Sequence, residues 1–164
     1  MEASPQNQKL MWVVQLGAFT VAPFVYFVLG TQVARSIVAS PSLPLLRNVF
    51  RVLAPLALAA GGFLLVRAPR ARGDVQGLAA FFGGAELATP VAFRTAFTIA
   101  TALVESCSIY GFVLLFLGAP LPEYLPYGAG TIAMLLAGAI PTGLRYWSEL
   151  EGGGIRAGGS PPIE

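Results

Sequence analysis

The chain contains no histidine and a single cysteine, Cys107. An internal disulfide is therefore impossible, and metal sites built from His and Cys are excluded. Ser-His-Asp and Cys-His catalysis are excluded with them. Charge is scarce as well. Only 11% of the 164 residues are Asp, Glu, Lys or Arg, where a soluble domain carries about a quarter. So few charges could not solvate the surface of a water-soluble domain. The ten Lys and Arg are spread along the chain. No basic cluster interleaves with aromatics on a polar face, so nucleic acid is not an expected partner.

What the chain has is hydrophobic residues, 55% of it, and a mean hydropathy of +0.71. Spanning a bilayer takes roughly 20 apolar residues per helix, and four stretches qualify. They predict helices over 10–34, 45–67, 90–117 and 124–147. Backbone groups in lipid must be satisfied within their own segment, which selects helices over open strands. The expected fold is all-α: a polytopic membrane protein with four transmembrane helices in two hairpins, and the lipid bilayer as its first partner. The second stretch is short of charge-free residues, but Arg51 and Arg67 bracket it and can snorkel to the two interfaces.

The punctuation agrees with this division. "SPSLP" (40–44) reads as a turn before the second helix, and "APRARGD" (68–74) ends it. Thr89-Pro90 reads as an N-cap followed by Pro at the first helical position. "GAPLPEYLP" (118–126) is a tight turn between the third and fourth helices. Residues 77–87 are apolar but broken by Gly, the pattern of a short interfacial helix. Residues 151–164 form a Gly/Pro-rich tail that is expected to be flexible.

Pro23, Pro55 and Pro141 fall inside helices and each is expected to kink its helix. Small-residue rows, Ala129/Ala133/Ala137 and Ala57/Gly61, offer surfaces for close helix packing. Trp12, Tyr124, Tyr127, Tyr146 and Trp147 stand near helix ends, where interfacial aromatics are expected. The Lys/Arg bias places Lys9, Arg67, Arg70, Arg72, Arg94, Arg145 and Arg156 on one side and Arg35, Arg47 and Arg51 on the other. That asymmetry predicts both termini in the cytoplasm of a cell-membrane protein.

The third stretch holds an acid, Glu105, in mid-helix. A charge at that depth costs at least about 2.5–3.5 kcal/mol on insertion scales, so the neutral form is expected unless a cation pairs with it. Arg94, Thr98, Thr101, Glu105 and Ser108 alternate four and three residues apart, which lines them on one stripe. Arg94 lies about 16 Å from Glu105 along the axis, too far for a direct ion pair. Two readings of Glu105 follow. It is a proton-binding group, with Thr98, Thr101, Ser108, Arg94 and Gln15 as supporting polar residues. Alternatively it is interhelical glue, hydrogen-bonded to Gln15 or Thr20 of the first helix in an accessory subunit. Cys107 reads as a small buried hydrophobe.

The stretch "RTAFTIATALVESCSIYGFVLLFLG" (94–118) resembles the ion-carrying helix of the proteolipid c-type subunits of F- and V-type rotary ATPases. The shared features are an Arg at the start, a row of Ala and Thr, Glu105-Ser106, then Ile109-Tyr110-Gly111 and an aliphatic run. The resemblance covers one helix in four. It implies that Glu105 binds and releases a proton, that no cofactor is needed, and that the partners are other membrane subunits or copies of the chain. With a single intramembrane acid, two-carboxylate chemistry has no second partner in the membrane, and no enzymatic activity is expected.

Overall fold

In the computed structural model, residues 5–33, 39–71 and 87–157 are described. The expected interfacial helix at 77–87 falls almost wholly outside them, as do residues 158–164. Helix α1 spans Pro5–Val33, α2 Leu43–Arg67 and α3 Pro90–Phe116. The last rod is built from α4 (Leu125–Met134), one widened turn (Leu135–Ala139) and α5 (Ile140–Ala157). Residues 151–157 are thus helical where the Gly/Pro content predicts a flexible tail. No strand occurs among the described residues.

The helix ends follow local chemistry. Thr89 caps α3, its Oγ1 accepting from the Ala92 N–H at 3.3 Å, and Pro90 supplies the first turn. At the other end Gly118 adopts φ 90°. Its N–H bonds the Leu115 carbonyl, and the Ala119 N–H bonds that of Leu114. This is a Schellman ending, and the left-handed φ is why glycine stands there. Arg67 closes α2, where its charge suits the helix dipole, and its guanidinium lies 5.4 Å from the Phe63 ring. Pro141 does not simply kink its helix. The turn before it widens, and the Ile140 N–H bonds the Leu135 carbonyl five residues back. A widened turn is one of the ordinary ways a helix absorbs a proline.

Among the described residues four helical segments are long and apolar enough to cross a membrane: Gln6–Gln32, Leu43–Arg70, Pro90–Phe116 and Leu121–Gly152. They run alternately up and down, but they do not pair off as two self-contained hairpins. Helix α3 lies in the middle, with α1, α2 and the α4–α5 rod around it, and α1 hardly touches α2. Phe93, Phe97, Ala100, Val104 and Leu115 of α3 are fully buried. Val14, Val21, Phe24 and Val28 of α1 and Leu45, Val52, Leu56 and Val66 of α2 face outward, as side chains in contact with lipid do.

Two sequence expectations about side-chain direction are overturned. Trp12, Tyr124, Tyr127, Tyr146 and Trp147 stand near helix ends as expected, but all five are buried inside the bundle. Tyr146 stacks on Phe93 with ring centroids 3.7 Å apart, and its hydroxyl donates to the Ala88 carbonyl at 2.7 Å. Position along the axis is read from sequence, whereas inward or outward direction depends on which neighbours exist. The row Ala129, Ala133 and Ala137 is exposed. The Gly61 position, in contrast, is where α2 closes on α3.

The two ends of the bundle are strapped by backbone. The Ala88 N–H donates to the Pro69 carbonyl at 2.8 Å, joining the end of α2 to the start of α3. The Ser40 N–H donates to the Leu117 carbonyl at 2.9 Å at the opposite end. There Arg47 also grips Glu123 with two parallel bonds of 2.9 and 2.7 Å. Lys9 and Glu151 pair at 2.6 Å across the first end.

A Cβ added at Gly61 would stand 2.6 Å from the Val104 side chain and 2.9 Å from the Ala100 carbonyl oxygen. Backbone cannot yield as a flexible side chain does. Gly61→Leu is therefore expected to lower stability by about 1–3 kcal/mol, read as unfolding in a denaturing-detergent titration followed by circular dichroism. Gly17→Ala meets nothing within 4 Å and is expected to stay within ~0.5 kcal/mol of the parent. Equal stability of Gly61→Leu and the parent would refute close α2–α3 contact.

Candidate functional site: a polar seam ending at Glu105

Helices α1 and α3 run in the same direction, so polar residues at matching heights can meet. Two such levels exist. At the first, the Arg94 guanidinium donates to Gln8 Oε1 at 2.7 Å and also touches Met11 Sδ at 2.8 Å. At the second, Gln15 donates from Nε2 to Thr98 Oγ1 at 2.6 Å. The Thr98 hydroxyl in turn donates to the Arg94 carbonyl at 2.8 Å. Further along, Tyr26 of α1 stacks on Phe112 of α3, with ring centroids 5.4 Å apart. Gln8, Gln15 and Tyr26 are separated by seven and eleven residues, close to two and three helical turns, so they share one face of α1.

Glu105 is only 4% exposed. Its Oε1 accepts from the Ser108 hydroxyl at 3.0 Å, and that hydroxyl is shared with the Glu105 backbone carbonyl at 3.3 Å. Its Oε2 is buried without a hydrogen-bond partner. Glu105 forms no ion pair among the described residues, where the pairs are Lys9–Glu151, Arg47–Glu123 and Arg145–Glu149. Tyr124, in the turn entering α4, lies against Gly111 of α3, three residues beyond Ser108. The Tyr124 hydroxyl donates to the Pro23 carbonyl at 2.6 Å, a bond that clasps α1 to the start of α4.

The stripe on α3 is thus real, but its members do different things. Arg94 and Thr98 bond across to α1. Thr101 is fully buried and donates to the Phe97 carbonyl of its own helix at 2.8 Å. Only Ser108 touches the Glu105 carboxyl through a hydrogen bond. Gln15 is taken by Thr98, and Thr20 donates to the Leu16 carbonyl at 2.8 Å on its own helix. Neither hydrogen-bonds Glu105, as the glue reading would have one of them do. Cys107 is buried, with Sγ 3.5 Å from the Tyr127 carbonyl oxygen.

Gln8 and Tyr26 were not singled out from the sequence, and Tyr124 was singled out only as an interfacial aromatic. The seven-and-eleven spacing on α1 was the available signal for the first two. Tyr124 carried none, because it depends on how α4 enters.

The seam is accessible at one end. An open cavity of about 460 Å³ lies between α1 and α3, bordered by Met11, Gln15, Ala18, Arg94 and Thr98. Glu105 lies seven residues beyond Thr98, or about 10 Å along the axis. Among the described residues no three of His, Cys, Asp and Glu come together. Chemically, the site is a buried carboxyl with one oxygen held by a hydroxyl and the other without a hydrogen-bond partner.

The Gln15–Thr98 bond offers a clean test of the seam. A double-mutant cycle over Gln15→Ala and Thr98→Ala, read by unfolding in detergent, is expected to give a coupling energy of about 0.6 kcal/mol, the usual worth of such a bond within a membrane. A coupling of zero would mean that α1 and α3 do not meet at this level.

Comparison with protein-family models, with curated proteins and with solved structures finds no match to this chain.

Proposed function

We propose that this chain is an integral membrane subunit whose Glu105 binds and releases a proton within the bilayer. The observation that carries the reading is the state of the carboxyl: Oε1 is held by Ser108 while Oε2 is buried without a partner. A carboxyl serving as glue would bond a neighbouring helix. Here the ties between helices are made by other groups: Arg94–Gln8, Gln15–Thr98, Tyr124–Pro23 and Thr131–Val104. Glu105 bonds only its own helix. An intramembrane acid released from structural duty is a functional group by default.

The resemblance of residues 94–118 to the proteolipids of rotary ATPases supports the same chemistry, and with it a partner subunit or a further copy of the chain as the group that exchanges the proton. The open cavity beside Gln15 and Thr98 supports approach from the end that carries Lys9, Arg67, Arg70, Arg94 and Arg145. By the positive-inside rule that end is cytoplasmic, which puts both termini in the cytoplasm.

Proton binding is testable without a partner. In infrared difference spectra of the protein in lipid, taken across a pH step, a protonated-carboxyl stretch is expected to appear in the parent and vanish in Glu105→Gln. A hydrophobic carbodiimide is expected to label Glu105 and to leave Glu105→Gln unlabelled. Identical difference spectra from both proteins would sink the proposal.

A further inference from the structure

Arginine is in surplus at the end of the bundle opposite Lys9. Arg47 is satisfied there by its two bonds to Glu123. Arg51, one turn further into α2, forms no ion pair among the described residues. Both border a cleft of about 310 Å³ between α2, α3 and the start of α4. With Glu123 at its rim, the cleft carries a net charge of +1. Below the arginines its wall turns apolar, with Ala54, Leu58, Cys107 and Tyr127. The Tyr127 hydroxyl makes no hydrogen bond among the described residues, and the ring borders the same cleft.

Depth decides what such a cleft can hold. Arg51 and Arg67 are separated by 16 residues of α2, about 24 Å of rise. The hydrocarbon core of a bilayer is about 30 Å thick. Two arginines that bracket it from slightly inside reach outward to the phosphate level. A cation at headgroup height above an apolar cleft matches an amphiphile with an anionic head and an acyl chain.

We propose that the Arg47–Arg51 cleft binds a phosphate ester, supplied as the headgroup of an anionic phospholipid whose chain lies along Ala54 and Leu58. Arg51 is the free fork for the phosphate. Arg47, held by Glu123, frames the mouth and limits the site to one negative charge. Tyr127 stands beside the head, with a hydroxyl able to donate to it. The occupant is an anionic lipid and not a zwitterionic one, because a choline cation would meet the surplus positive charge.

Native mass spectrometry of the full chain in mild detergent tests this, with phosphatidylglycerol and phosphatidylcholine of identical acyl chains as probes. The parent is expected to retain phosphatidylglycerol preferentially. Arg51→Gln is expected to lose about fivefold of that preference, the usual effect of one arginine at an anionic surface. Arg51→Lys, which keeps charge but not the fork, is expected to fall between. Arg67→Gln, at the opposite end, is expected to keep the preference. Circular dichroism checks that the variants keep their helix content. An unchanged preference in Arg51→Gln, or an equal loss in Arg67→Gln, overturns the site. Displacement of the lipid by excess inorganic phosphate would assign the cleft to a soluble anion and overturn the lipid as its source.

Discussion

Enclosure of α3 is the constraint on which the rest of the structure depends. Three partners surround this helix, and each is admitted by a different device. On the α2 side it is the missing side chain at Gly61, which lets the backbones approach until Val104 and the Ala100 carbonyl fill the space. On the α1 side it is a ladder of polar side chains, Gln8–Arg94 and Gln15–Thr98. On the α4 side it is the Thr131 hydroxyl bonded to the Val104 carbonyl at 3.2 Å, with Cys107 seated below the Tyr127 carbonyl. In lipid there is no hydrophobic force to hold helices together, so close packing and polar contacts must do so.

The magnitudes show why Glu105 stands apart from this scheme. A polar contact between helices contributes about 0.6 kcal/mol on average. A charged acid at mid-membrane costs at least about 2.5–3.5 kcal/mol. One such contact would not offset that cost, and Glu105 makes none to another helix. Its one side-chain partner is Ser108, a single turn away on α3. The residue therefore contributes little to cohesion between the helices.

Much of the fold was legible before any coordinates. Thr89-Pro90 announced the start of α3, because a hydroxyl cap and a residue without an N–H both suit the first turn. Gly118 ended it for an equally local reason. Glu105 and its stripe were legible from spacing alone. The failures share one cause. The inward turn of Tyr124, Tyr146 and Trp147 and the outward face of Ala129, Ala133 and Ala137 both depend on which helices are neighbours. Pro141 belongs with them in part. Its effect on the helix was expected as a kink, and the chain instead widens one turn over Leu135–Ala139, whose end residues are fully buried.

The sequence by itself determined that there are four long apolar helices, where two of them, α2 and α3, begin and end, and that one acid lies deep within the third. Those properties follow from hydropathy, capping and helical periodicity, which act over a few residues. Only the tertiary structure decided that α3 is the enclosed helix and that α1 lies alongside it in parallel. It alone bonded Tyr124 to the Pro23 carbonyl of α1 and left one oxygen of the carboxyl without a partner. Hydrocarbon surfaces are nearly interchangeable to one another, so pairing of helices is decided by shape and by a few polar contacts at matching heights. Those become visible only when the helices are placed side by side.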